Sequence, residues 1–164
     1  MSELLEKILN KDNMNTAYKK VFSNKGAGGV DGVTVEELFD YIRKNWNSIS
    51  DSIRQRTYKP LPVRRVEIPK PNGDVRNLGI PTVMDRVIQQ AIVQIISPMC
   101  EPKFSDFSYG FRPNRSCEMA IRKLLEYLNE GYEWIVDIDL EKFFDNVPQD
   151  KLMSLVHDII KDGD

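Results

Sequence analysis

Asn72-Gly73 stands between two runs of strand composition, Val63 to Pro69 and Val75 to Ile80, and constrains the fold more than any other feature. Both residues tolerate the positive φ of a tight turn, so the two runs are predicted to pair antiparallel as a hairpin. Elsewhere the pattern is helical. Ser2 is placed to cap a short helix carrying Leu4, Leu5 and Ile8, and a second is predicted from about Asn15 to Phe22. Thr34 and Glu37 have capping-box spacing and open a helix to about Trp46, with Leu38, Tyr41 and Ile42 inward. Ser48 to Arg56 reads as a further helix. Thr82 with Asp85 opens a long one whose Val83, Val87, Ile88, Ala91, Ile92, Ile95 and Ile96 form a wide apolar face, closed by Pro98. Asp85-Arg86 reads as a structural pair at its start. Ser116 caps a helix that Gly131 stops, Trp134 to Asp139 reads as a strand, and an amphipathic helix fills most of Asn146 to Lys161. The class is α+β. Only one strand follows the hairpin, so its sheet lacks partners and the chain reads as cut off.

At 164 residues the expectation is one domain or a large piece of one, able to bury roughly 70% of its unfolded surface. With 41% hydrophobic and 29% charged residues, disordered and fibrous classes are excluded. The longest uncharged stretch, Val87 to Cys100, has 14 residues and three glutamines, too short and polar to span a bilayer. No apolar signal core follows Met1, and the chain reads as cytosolic, without a membrane partner. Cys100, Cys117 and the single His157 are too dispersed for a zinc site or a Cys-His nucleophile. Chemistry therefore rests on carboxylates, Lys, Arg or backbone. Charge is uneven: Arg54 to Arg86 holds eight basic against three acidic residues, and Glu101 to Asp164 eight against fourteen. A basic half and an acidic half suit a site that grips phosphates on one side and metal on the other, or two solvated faces of opposite sign.

Two segments invite a functional reading. Lys25 to Gly32 is glycine-rich, but the phosphate-loop spacings fail and it reads as a turn. Asp137 and Asp139 end the predicted strand, and alternation puts both carboxylates on one face. Such a pair is either a hard-oxygen site suited to Mg²⁺ or a solvated strand end.

VDIDLEKFFDNV, residues 136–147, resembles the first catalytic motif of reverse transcriptases: an aspartate, four residues, an aromatic, then usually aspartate. Those positions are Asp139, Phe144 and Asp145. RVEIPKPNGDVRNLGIPTVMDR (65–86) resembles the fingers hairpin and following helix of group II intron reverse transcriptases, SYGFRPNRS (108–116) their next block, and GVDGVT (29–34) their N-terminal extension. The blocks occur in order from about Lys25 to Asp164, and the chain is identified as resembling the N-terminal part of a group II intron-encoded reverse transcriptase, or maturase.

The resemblance implies right-hand polymerase fingers with a partial palm: a helical extension over 1–60 binding intron RNA and template, fingers over 61–133, and the start of the palm over 134–164. Asp139 is implied as the catalytic aspartate, binding Mg²⁺ (Mn²⁺ as substitute) with the backbone carbonyl of Leu140, two ions serving the complete enzyme. Asp137 falls outside the motif. Lys70 and Arg76, read as paired across the hairpin, would hold the dNTP triphosphate, and Phe144 would exclude a 2′-hydroxyl. Asp145 would hydrogen-bond the local backbone. Arg54, Arg56, Lys59, Arg64 and Arg65 would touch template phosphates, and Arg112, Asn114 and Arg115 the template or its base. Implied partners are group II intron RNA, RNA template, DNA primer and dNTP. The family's aromatic-x-Asp-Asp block does not occur before Asp164, so this stretch alone is expected not to synthesise DNA. Its exposed palm surface would favour a homodimer or aggregation. Two other readings stand beside this one: an RNA-binding splicing cofactor needing no Asp139, and a reverse transcriptase of retron or defence-associated type.

Overall fold

The structure is a computed structural model and describes residues 2–69, 71 and 73–163. Six α-helices and one hairpin follow in the order α1 (Glu3–Leu9), α2 (Lys11–Ser23), α3 (Leu38–Arg54), β1 (Arg64–Pro69), β2 (Val75–Ile80), α4 (Val83–Cys100), α5 (Cys117–Asn129) and α6 (Gln149–Ile160). The class is helix-rich α+β, as the patterning predicted. The chain divides into two compact units, one reaching to Ser97 and taking in the stretch from Asp162, the other Pro98–Lys161.

Local capping starts most helices. Ser2 Oγ accepts from the Leu5 N–H at 3.0 Å, and Ser116 Oγ from the Met119 N–H at 3.3 Å. The capping box forms both ways: Thr34 N–H donates to Glu37 Oε2 at 2.9 Å and Glu37 N–H to Thr34 Oγ1 at 3.3 Å. Several boundaries differ from the sequence reading, and α4 is not closed by Pro98 but runs on to Cys100. α2 begins four residues before Asn15, because Asn10 Oδ1 accepts from the Asp12 N–H at 2.9 Å. α3 continues unbroken to Arg54, joining the two helices predicted there. Its polar middle does not end it, since Asn45 Nδ2 and Ser50 Oγ bond back to the carbonyls of Tyr41 and Asn47.

The core lies in the first unit, where Ile8, Met14, Ala17, Val21, Val35, Leu38, Val83, Met84, Val87 and Ala91 form one buried cluster drawn from α1 to α4. Leu38, Val83 and Val87 are fully enclosed, each stabilising by about 1.5–3 kcal/mol through burial. A polar bridge joins α2 to α4 at its edge. Asn13 donates to the carbonyls of Ile8 (2.8 Å) and Ala91 (3.1 Å), and Gln94 donates to Asn13 Oδ1 at 2.7 Å. Arg54, ending α3, meets Glu6 of α1 with two hydrogen bonds of 3.0 and 3.1 Å. That pairing holds the Glu6 carboxyl below its ordinary 4.5. The backbone N–H of Thr34 does the same for Glu37. Both carboxylates have depressed folded values, so their stabilisation is present above pH 4.5 and lost as pH falls below it. Urea midpoints are therefore expected to be flat from pH 7 to 5 and to drop below 4.5, the drop shrinking in Glu6→Gln.

The second unit has no buried residue among those described. The apolar residues of α5 are open, with Ile121, Leu124, Leu125 and Leu128 all exposed. The strand predicted over 134–139 does not form, and 133–140 has no ladder partner. A strand exists only through its neighbours' hydrogen bonds, and among the described residues the single sheet holds β1 and β2 alone. Trp134 (92% exposed), Val136 and Ile138 consequently face solvent.

Candidate nucleic-acid and metal site

The hairpin register decides which basic residues act together. Arg64 pairs with Ile80, Val66 with Leu78 and Ile68 with Arg76, so these six side chains share one face. Arg65, opposite Gly79, lies on the other. Successive strand residues point to opposite faces, so Arg64 and Arg65 present to different surfaces, and Arg64 joins Arg76 instead. The direct cross-strand partner of Arg76 is Ile68. Lys70, expected beside it, lies outside the described residues. The link between the strands spans 70–74, with Gly73 at φ +88°.

The segment entering the hairpin is held by a buried carboxylate. Asp85, 3% exposed in the first turn of α4, accepts from Tyr58 Oη at 2.6 Å, Thr82 Oγ1 at 2.6 Å and the Leu61 N–H at 3.3 Å. Asp85 N–H returns a bond to Thr82 Oγ1 at 3.1 Å. Burial, then the bond to Asp85, pushes the Tyr58 phenol well above its ordinary value, so it stays protonated and donates. Arg56 and Lys59, both exposed, sit on the anchored segment, Arg56 in the left-handed region at φ +58°. Arg54 is instead paired with Glu6, as described above.

Arg86 does not pair with Asp85. Its Nη2 donates to the Ala27 carbonyl at 2.6 Å, and its Nε is buried without a partner among the described residues. The glycine-rich loop lies against the start of α4. A Cβ on Gly29 would come 2.6 Å from Thr82 Cα, and one on Gly26 would meet Arg86 Nη1. The glycines permit this close backbone approach, in keeping with the turn reading. Gly29→Ala is therefore expected to destabilise by about 1–3 kcal/mol in thermal unfolding, because the neighbour is backbone and cannot swing away.

In the second unit two arginines brace the 104–115 loop. Arg112, with its side chain 8% exposed, donates from Nε and Nη2 to Glu101 Oε1 (3.0 and 2.7 Å) and from Nη1 to the carbonyls of Ser105 (2.5 Å) and Ser108 (3.0 Å). It also lies over the Phe104 ring. All three nitrogens are turned into the loop. Arg115 bonds the Asp106 carbonyl at 3.2 Å and stacks on Tyr109. Asn114 is exposed at φ +58°, and Phe111, fully exposed, holds a left-handed φ of +56°.

Asp137, Asp139 and Leu140 lie in the unpaired 133–140 segment, all exposed. Lys142 in the left-handed region starts a 3₁₀ turn over Phe143–Asp145. Neither phenylalanine is core: the rings meet edge to face at 5.5 Å, and Phe144 is 90% exposed. Local bonding comes from Asn146, whose Nδ2 donates to the Glu141 carbonyl at 3.4 Å, rather than from the Asp145 carboxylate. The donor chemistry here suits a hard divalent ion. Yet no group of three metal-capable side chains gathers among the described residues, so this stretch does not by itself make a metal site.

A hairpin with cations on one face, a helix running from it and a late Asp-x₄-Phe-Asp segment follow one another in the chain. The family model for reverse transcriptase (RNA-dependent DNA polymerase) matches residues 68–163, more than half of the chain, and the chain belongs to that family. Its relatives narrow the branch to group II intron proteins and maturases. It is 36% identical over 162 residues to the group II intron-encoded protein LtrA of Lactococcus lactis, covering 98% of this chain and 27% of that one. It is 38% identical over 169 residues to protein YkfC of Escherichia coli (99% of this chain, 44% of that one). Over 82 residues it is 33% identical to nuclear intron maturase 1 of Arabidopsis thaliana (50% and 11%). The chain thus spans less than half the length of these relatives. No helix among the described residues is long and apolar enough to cross a membrane.

Proposed function

We propose that this stretch forms the fingers and the first part of the palm of a group II intron-encoded RNA-directed DNA polymerase. The observation that carries the reading is the order of the antiparallel hairpin, α4, the braced loop and the Asp139 segment within the reverse transcriptase match. The division proposed is an extension over 1–60, fingers over 61–133 and palm from 134. Arg76, with Lys70, neutralises the triphosphate of the incoming dNTP, and Arg64 on the same face extends that cationic surface toward the template. Arg56, Lys59 and Arg65 touch template phosphates, as do Asn114 and Arg115. Arg112 acts through the loop it holds, and Arg54 through its pair with Glu6. Phe144 presents its ring toward the sugar and excludes a 2′-hydroxyl by clash. Asp139 and the Leu140 carbonyl are ligands of a Mg²⁺ site whose remaining carboxylates come from further palm sequence, which also covers the open faces of α5 and the 134–139 segment.

The test is primer extension on an RNA template by the complete polymerase. Arg76→Ala is expected to raise the KM for dNTP roughly 10–100-fold, the loss of charge-assisted hydrogen bonds, with kcat changed less. An unchanged KM would remove Arg76 from the triphosphate site. A second reading, a non-catalytic RNA-binding splicing cofactor, draws on the finding that no group of three metal-capable side chains gathers at Asp139 among the described residues. It separates from the first by Asp139 substitution.

A further inference from the structure

Both ends of the hairpin are tied to one turn of helix. β2 ends at Ile80 and runs through Pro81 into the start of α4, where Thr82, Val83 and Asp85 are all buried. The segment leading into β1 returns to that same turn, because Asp85 accepts from Tyr58 Oη and from the Leu61 N–H. Val63, just before β1, lies against β2 at Gly79, where a Cβ would come 2.9 Å from Val63 Cγ2. The glycine-rich loop packs on the turn as well: a Cβ on Gly29 would come 3.1 Å from the Pro81 carbonyl carbon. Between these tied ends the strands bury little. Val66 of β1 and Ile80 of β2 are half-buried, and the other residues of both strands are exposed.

A hairpin with so little packing along its length takes its direction from its ends. Arg76 stands four residues before Ile80, a lever of about 13 Å at roughly 3.3 Å per strand residue. A tilt of about 10° at the tied end therefore moves Arg76 by about 2 Å, enough to break a charge-assisted hydrogen bond. The backbone supplies one half of the tie at Leu61, and the Tyr58 hydroxyl supplies the other. We propose that Tyr58, through its hydrogen bond to Asp85, is a positioning residue that fixes the direction of the hairpin and so holds Arg76 at the dNTP triphosphate. The inference rests on the triphosphate role given to Arg76 above. Tyr58 is half-buried, with its hydroxyl turned to Asp85, and acts through the hairpin rather than by touching nucleotide.

Tyr58→Phe in the complete polymerase is expected to raise the KM for dNTP about 3–10-fold, with kcat within about twofold of the parent. In an Arg76→Ala background the same substitution should add less than about twofold, because the group it positions is gone. Val21→Ala, a core substitution in the same unit, should lower the urea midpoint and leave the KM unchanged. Hairpin direction is read separately, in this chain with Cys100 and Cys117 replaced by serine and spin labels at Arg43 of α3 and Val75 of β2, both exposed. Tyr58→Phe should broaden the distance distribution, and Val21→Ala should not. An unchanged distribution in Tyr58→Phe would overturn the positioning role, as would a KM raised equally by Val21→Ala or a full further rise in the Arg76→Ala background. A broadened distribution with unchanged KM would overturn it too, leaving the polymerase reading intact. Failure of the parent itself to extend a primer on RNA would overturn the polymerase reading and this role with it, while the label distances would still show what Tyr58 holds.

Discussion

In the complete polymerase, Asp139→Asn is expected to lower DNA synthesis at least about 10³-fold while leaving RNA affinity within about twofold. Asparagine keeps the shape and one carbonyl oxygen but removes the negative charge a divalent ion needs, so the change acts on electrostatics rather than packing. Asp139 is exposed in a segment without ladder bonds, and its replacement removes no hydrogen bond among the described residues that supports the fold. Synthesis and intron splicing, measured on the same variant, divide the two functional readings. Lost synthesis with retained splicing assigns Asp139 to polymerisation alone. Splicing that falls equally, with unchanged circular dichroism, would mean that one surface serves both.

Asp85→Ala is expected to destabilise the first unit by about 3 kcal/mol or more, read from urea unfolding at pH 7. The carboxylate takes hydrogen bonds from Tyr58, Thr82 and Leu61 at a position nearly closed to water. Truncation leaves those donors facing an apolar pocket and also removes half of the box that starts α4. Tyr58→Phe, which withdraws only the phenolic donor, should cost about 1.5–3 kcal/mol. It tests the anchor without disturbing the helix cap. The same variant should loosen the 55–63 segment carrying Arg56 and Lys59, seen as faster proteolysis there. Equal stability of Tyr58→Phe and the parent would mean that the anchor is the cap alone.

The caps were legible because their bonds run between residues two or three apart: Ser2 to Leu5, Thr34 to Glu37, Ser116 to Met119. The hairpin was legible for the same reason, through Gly73 and the composition of its flanks. Its register was less so. Asn72-Gly73 marked where the turn falls, but the pairing of Arg76 with Ile68 follows from a five-residue link, and that register puts Arg64 on the same face as Arg76. Arg112 was read as a template donor because a motif position does not reveal where a guanidinium points. Asp85 was recognised as a cap, yet its bonds to Tyr58 and Leu61 cross 27 and 24 residues. A partial signal existed in Gln94, a polar residue set within an apolar helical pattern and joined to Asn13 across 81 positions.

By itself, then, the sequence determined the helices, the hairpin, the reverse transcriptase membership and the identity of the acidic and basic groups, all carried by local bonding or by ordered motifs. Only the tertiary structure decided which cations share a face, which arginines turn inward and what holds the entry to the hairpin. It also left 134–139 without a ladder, against its strand composition. Burial and sheet pairing are supplied by residues distant in the chain, and a local pattern states a segment's preference without supplying its neighbours.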